Sequence, residues 1–244
     1  MPADADPAFE VSTIKPNVSS AAGLQVLTFR GRTFITENSS LADLMMFAYS
    51  VQMKQILGAP DWIEKDRYDI NATPDQEGSP SADQVRIMIR KLLADRFQLK
   101  FHHDKRELSA FVLTVGKDGA KLKPAQPNGN LHGIGVQPAK TGAMMFANNA
   151  PIPAFTSFLQ SLVFDRPVVD QTGLTGRYDL TVTFTLDDSL FNGHPPEFPK
   201  PAEGVEPAPH FFDAIQQQLG LKLTAEKTQV DVLAIDHVEK PSAN

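Results

Sequence analysis

The sequence predicts an α+β protein. It reads as two tandem pseudo-repeats of strand, helix, strand, helix and hairpin, making mainly antiparallel sheet with helices packed on one face. Three observations carry this prediction. The run R-Y-D-[IL]-x-[AV]-T is written twice, as Arg67-Tyr68-Asp69-Ile70-Asn71-Ala72-Thr73 and as Arg177-Tyr178-Asp179-Leu180-Thr181-Val182-Thr183. Four segments space their apolar residues as a helix does, and the chain between them switches to a period of two. "GRTFITEN" (31–38) precedes the first helical segment as "GAMMFANN" (142–149) precedes the third.

The first helix follows from Leu41, Leu44, Met45 and Ala48 at i, i+3, i+4 and i+7, with Ser40 and Asp43 placed to cap its start. In the first R-Y-D strand, Tyr68, Ile70 and Ala72 share one face by parity. Arg and Asp fall on the other face, where a cross-strand ion pair is expected. Val85, Met88, Ile89 and Leu92 make the second helix, opened by Ser81 and Gln84 at capping-box spacing. "FQLKF" and "LSAFVLTV", split by Asp104-Lys105-Arg106, predict a hairpin over 97–115. The third helix carries Phe155, Phe158, Leu159 and Leu162, with Pro153 in its first turn. Gly173 and Gly176 suit positive-φ turn positions before the second R-Y-D strand. Phe212, Ile215 and Leu219 mark a shorter fourth helix, and 219–238 repeats the hairpin pattern. The expected division is a pseudo-repeat over 9–123, a Pro/Gly/Asn-rich linker over 124–141, and a second pseudo-repeat over 142–240 with a proline-rich loop at 193–209.

At 244 residues, 41% hydrophobic and 21% charged, the composition is that of an ordinary globular chain. A formal charge of −6 argues against a nucleic-acid partner, which calls for basic surface. No run of 18 apolar residues is present, so no membrane span is expected. The absence of cysteine excludes disulfides, thiolate nucleophiles and cysteine-bound zinc without fixing the compartment. "MPADADPAFEV" has neither a basic start nor an apolar core, and reads as a mature chain behind an initiator Met.

Catalytic motifs are weak. Ser12-x-x-Lys15 and Lys140-Thr141-Gly142 echo penicillin-recognising serine enzymes, but "FEVSTIKP" alternates like a strand, which turns Ser12 and Lys15 to opposite sides. His102, His103 and Asp104 are the one metal-like run, and neighbouring strand residues diverge instead of chelating one ion. No catalytic residue, resident metal or cofactor is assigned. Trp62, the only tryptophan, with Arg67, Tyr68, Arg177 and Tyr178, forms the candidate ligand-binding set.

Five ordered stretches are "FEVSTIKPN", "SLADLMMFAYSVQMKQILGAPDWIEKDRYDINA", "LLADRFQLKFHHDKRELSAFVLTVGKDGAKL", "RPVVDQTGLTGRYDLTVTF" and "QLGLKLTAEKTQVDVLAIDHVEKPSAN". Together they resemble a soil-associated, acidobacterial-type family of exported bacterial proteins of unknown function. That family is rich in paralogues, and some members are fused to antibiotic-sensor-type membrane metallopeptidases. The resemblance implies a signal peptide, absent here, and a periplasmic or secreted protein. The leading expectation is therefore a non-catalytic binding or sensing module for a small molecule, glycan or protein. One rival is an envelope- or polysaccharide-directed hydrolase using Asp165, Asp170 or Asp179 with a histidine. Another is a partner-binding module docking through the proline-rich loop.

Overall fold

A computed structural model describes residues 1–2, 4–19, 23–24, 26–126, 133–199 and 204–241. Its strands are β1 (Phe9–Pro16), β2 (Val26–Arg30), β3 (Thr33–Ser40), β4 (Ile56–Leu57), β5 (Arg67–Pro74), β6 (Lys100–Val115), β7 (Lys123–Pro124), β8 (Gly133–Ala139), β9 (Gly142–Pro151), β10 (Val168–Asp170), β11 (Arg177–Phe184) and β12 (Leu221–His237). The helices are α1 (Leu41–Tyr49), α2 (Trp62–Lys65), α3 (Ala82–Arg96), α4 (Ile152–Phe158) and α5 (Phe211–Ala214). The protein is α+β, with mostly antiparallel strands. Among the described residues no helix is long and apolar enough to cross a membrane.

The chain divides into two units, the first formed by Met1–Lys105 with Asp231–Asn244 and the second by Arg106–Val230. This differs from a division into 9–123 and 142–240. The segment 124–141, read as a linker, holds β8, and its residues 127–132 lie outside the described ones.

In the first unit, β1, β5, β3 and β2 form an antiparallel sheet in that order. β4 runs parallel to β12, with Ile56 opposite Leu233. Alternating burial along β3 and β5 leaves one face for the core, where Leu41, Leu44, Met45 and Ala48 of α1 meet Met88, Ile89 and Leu92 of α3. Both capping boxes form. Ser40 Oγ accepts from Asp43 N and Asp43 Oδ2 from Ser40 N, and Ser81 with Gln84 repeats the exchange.

In the second unit, β7, β11, β9 and β8 form the corresponding antiparallel order, and β10 runs parallel to β6. Its helices correct two expected faces. Past Phe158 the α4 helix continues through π-helical turns at Leu159–Val163, and past Ala214 the α5 helix does so at Ile215–Leu219. Wider turns rotate the following residues around the axis. Val163 is therefore buried while Leu162 is 53% exposed; in α5, ahead of its π turns, Phe211 is buried and Phe212 is 36% exposed.

Neither predicted hairpin forms. β6 and β12 are single strands of 16 and 17 residues, hydrogen-bonded neighbours that each contribute to both units. Asp104-Lys105-Arg106 has no glycine to follow its aspartate in a two-residue hairpin turn, and none of the three has a positive φ. The charged run is instead the exposed middle of one strand, as is Thr224–Lys227 in β12. Leu99, just before β6, enters the first core and Leu113 the second, whereas Leu221 enters the second and Leu233 the first.

The R-Y-D runs occupy β5 and β11 and do the same task twice. In β3, Glu37 and Asn38 together face Asp69, and in β9, Asn148 and Asn149 together face Asp179. Each pair is a β-bulge with one residue too many, and Asn38 and Asn149 adopt left-handed φ values of 56° and 46°. The aspartate satisfies the bulge. Asp69 Oδ1 accepts from Asn38 N at 2.9 Å, and Asp179 Oδ1 from Asn149 N at 2.7 Å. The arginine holds the other side, since Arg67 Nη1 and Arg177 Nη2 each donate to the carbonyl of the bulged asparagine. A cross-strand Arg–Asp ion pair is thus not what the motif makes. Arg67 does pair with a carboxylate, but it is Asp43 of the α1 capping box, at 2.6 Å. Gly173 has the expected positive φ of 70°. Gly176 does not; a Cβ there would stand 2.9 Å from the Tyr178 hydroxyl.

Removing either aspartate strands a bulge N–H. Asp69→Ala and Asp179→Ala are each expected to lose about 1–3 kcal/mol of stability by urea denaturation. Asp165→Ala, which breaks an exposed pair with Arg166, should lose less than about 1 kcal/mol. Equal, small losses for all three would show that the bulge is not held this way. Separately, residues 1–123 alone lack Leu233 and the Asp231 carbonyl that accepts from Gln55 Nε2 at 2.9 Å. That fragment should show no cooperative urea transition, and a sharp one would refute the shared-strand account of the core.

Candidate binding cleft

The first unit contains a cleft of ≈ 440 Å³ at the start of β5. That volume is in the range of small-ligand sites. Ile14 and Pro16 of β1, with Pro241, give it an apolar wall, and Asn17, Lys65, Asp66, Arg67, Tyr68 and Lys240 supply its polar groups.

Each group is held from below. Tyr68 stands opposite Pro16 of β1 and Ser39 of β3, and only 4% of it is exposed. Its ring meets Phe97 edge-on, with centroids 5.6 Å apart. Burial raises the phenol pKa first, and the negative charge of Asp66 adds to that rise. Among the described residues no group hydrogen-bonds the Tyr68 hydroxyl, and the oxygen is not sealed from solvent. Asn17 ties the wall to the bulge clamp, donating its N–H to Arg67 O and its Nδ2 to Asp69 Oδ1, both at 2.7 Å.

Three cations line the cleft, each paired with a carboxylate. Arg67 is engaged by Asp43, Lys65 Nζ lies 2.6 Å from Asp61 Oδ2, and Lys240 Nζ lies 2.6 Å from Asp66 Oδ2. The Asp61 partnership raises the Lys65 pKa, chiefly through its hydrogen bond, and lowers that of Asp61. Lys240 also stands over the Trp62 ring, 5.8 Å from its centroid. Trp62 opens α2 and packs half-buried on the first core.

A family model described as a protein of unknown function, DUF3738, matches residues 42–238. The chain belongs to the DUF3738 family. No curated protein and no solved structure matches it. Within this DUF3738 chain, the expected ligand residues fall in two groups. Arg67 and Tyr68 line the first-unit cleft, and Trp62 adjoins it through Lys240. Arg177 and Tyr178 lie in the second unit, where Arg177 Nε binds Asn149 Oδ1 at 2.8 Å and Tyr178 packs partly buried on the core. Sequence reasoning missed Asn17, Lys65, Asp66 and Lys240. Lys65 and Asp66 directly precede the R-Y-D run, a signal open to inspection. Asn17 and Lys240 lie far off in sequence and carry none.

The metal-like run does not assemble. His102 Nδ1 pairs with Asp236 Oδ1 at 2.8 Å, and His103 meets the Phe101 ring edge-on. Among the described residues no three His, Asp or Glu side chains converge as a metal would require. The hydrolase aspartates are occupied locally. Asp165 pairs with Arg166, Asp170 Oδ1 accepts from Thr172 N and Oγ1, and Asp179 holds the bulge. In the proline-rich loop 193–209, the C-terminal end is pinned to Thr141 and Thr185 by Ala208 N, Ala208 O and Pro209 O, while residues 200–203 lie outside the described ones.

The raised Tyr68 pKa has a sign that can be tested. The folded state holds the protonated phenol, so this contribution is complete below the ordinary tyrosine value. It is lost as pH rises from that value through the higher folded one. Wild type should therefore lose stability faster than Tyr68→Phe above about pH 10 in urea titrations. Parallel pH profiles would contradict a buried phenol.

Proposed function

We propose that this DUF3738 chain is an exported, non-catalytic binding or sensing module whose ligand occupies the first-unit cleft. The observation that carries this reading is a cleft of ligand size lined by Tyr68, whose hydroxyl has no hydrogen-bond partner among the described residues, together with three cations. The aspartates a hydrolase would need serve turns, an arginine and a bulge, which favours binding over turnover. Export, to the periplasm or beyond the cell, rests on the resemblance of the five ordered motifs to exported proteins. A tandem duplication underlies the chain on this reading. It is supported by the matching strand orders of the two units and by the paired bulge clamps.

A thermal-shift panel of peptidoglycan fragments, oligosaccharides, peptides and divalent metals tests the reading, run beside hydrolysis assays on the same polymers. A ligand at 100 times its Kd adds about 2.7 kcal/mol, enough to move Tm by a few degrees. Stabilisation by at least one compound, weakened by Tyr68→Phe and without hydrolysis, is the expected result. Turnover of any polymer by the purified chain would replace the binding reading with the hydrolase.

A further inference from the structure

Resting on that reading of the cleft, we infer that its ligand is an organic acid, a carboxylate or phosphate carried on a compact body such as a sugar. Tyr68 and Lys240 make the decisive contacts. The cleft gathers Lys65, Arg67 and Lys240, each on a carboxylate, Asp61, Asp43 and Asp66 in turn. Of these pairs only Lys240–Asp66 has both members in the lining, so it is the one whose cation an incoming acid can share.

The cations differ in how firmly they are held. Arg67 is partly buried, bound to Asp43 and to the bulge carbonyl, so it contributes fixed charge. Lys240 is 59% exposed and its partner Asp66 34% exposed. An exposed lysine pair of this kind is weak, and an incoming acid group can take the place of Asp66. The Tyr68 hydroxyl has a donor proton to give, and its phenol stays protonated because burial and Asp66 both oppose ionisation. A bound acid thus gains a neutral donor and a mobile cation together. Lys240 also covers the Trp62 ring. Drawing Lys240 toward an acid uncovers that face, which offers an apolar platform for the body of the ligand.

Trp62 is the only tryptophan, so its emission reports this cleft directly. The full chain is titrated with glucuronate, glucose 6-phosphate and glucose, three probes that share a sugar body and differ in acid group. Saturable emission changes are expected with one or both acids and not with glucose. Tyr68→Phe and Lys240→Gln should each weaken the response about tenfold, with far-UV circular dichroism unchanged. The stronger acid arm then decides between carboxylate and phosphate. Equal binding of glucose, lost in Tyr68→Phe, would overturn the acidic class while leaving the binding module standing. Acid binding that both variants preserve would overturn the assigned contacts, and no saturable response to either acid would overturn the inference itself. Hydrolysis in the panel above bears on the module reading alone, so the two failures are told apart.

Discussion

One extra residue in a strand is the constraint on which each unit is built. A bulge leaves the strand with an amide and a carbonyl that its neighbour cannot pair, and a buried orphan of that kind is costly. In β3 and β9 the bulged residue is an asparagine in the left-handed region, which this residue type tolerates better than most. Asp69 and Asp179 take the amide, and Arg67 and Arg177 take the carbonyl. The tyrosine between them faces the other way by strand parity, into the core of its unit. The motif R-Y-D is therefore two polar anchors around one apolar one. Its reach extends into the helix that follows, because Asp43 serves both the α1 cap and Arg67.

The second constraint is that neither sequence half completes its own core. β6 and β12 each carry apolar residues at or beside both ends and charged residues in the middle, and each supplies both units. Hydrophobic burial has no regard for chain order, so Leu233 serves the first core as well as any local residue would. This is why a unit of the fold need not be a continuous stretch of the chain.

What the sequence disclosed and what it hid divide along physical lines. Local, short-range interactions were legible. The Ser40 and Ser81 caps lie three residues from their partners, and the inner faces of α1 and α3 follow the helical period. The R-Y-D strands announced themselves by repetition, although the bulge they hold did not. Two further features were masked. A π-helical turn shifts the face of a helix without any marker residue, so the helical period places Leu162 inward although it is 53% exposed. A charged run reads alike as a turn or as the solvated middle of a strand, which is how Asp104-Lys105-Arg106 misled. The cleft was half legible, since Arg67 and Tyr68 are in the motif while Asn17 and Lys240 arrive from opposite ends of the chain.

The two R-Y-D strands share a frame and differ in what surrounds it. Before Arg67 come Lys65 and Asp66, charged residues at the end of α2 that open toward solvent. Before Arg177 comes Gly176, whose missing side chain leaves room for the Tyr178 hydroxyl. The tyrosines occupy matching strand positions, yet one hydroxyl is left to a charged cleft and the other lies against backbone. Arg67 is stiffened by Asp43, whereas the corresponding position of α4 is Ala154, and Arg177 turns wholly to Asn149. The clamp is insensitive to these changes because it uses only the aspartate, the arginine and the bulged backbone. The two clamps therefore form alike although the residues before them, Lys65-Asp66 and Gly176, differ.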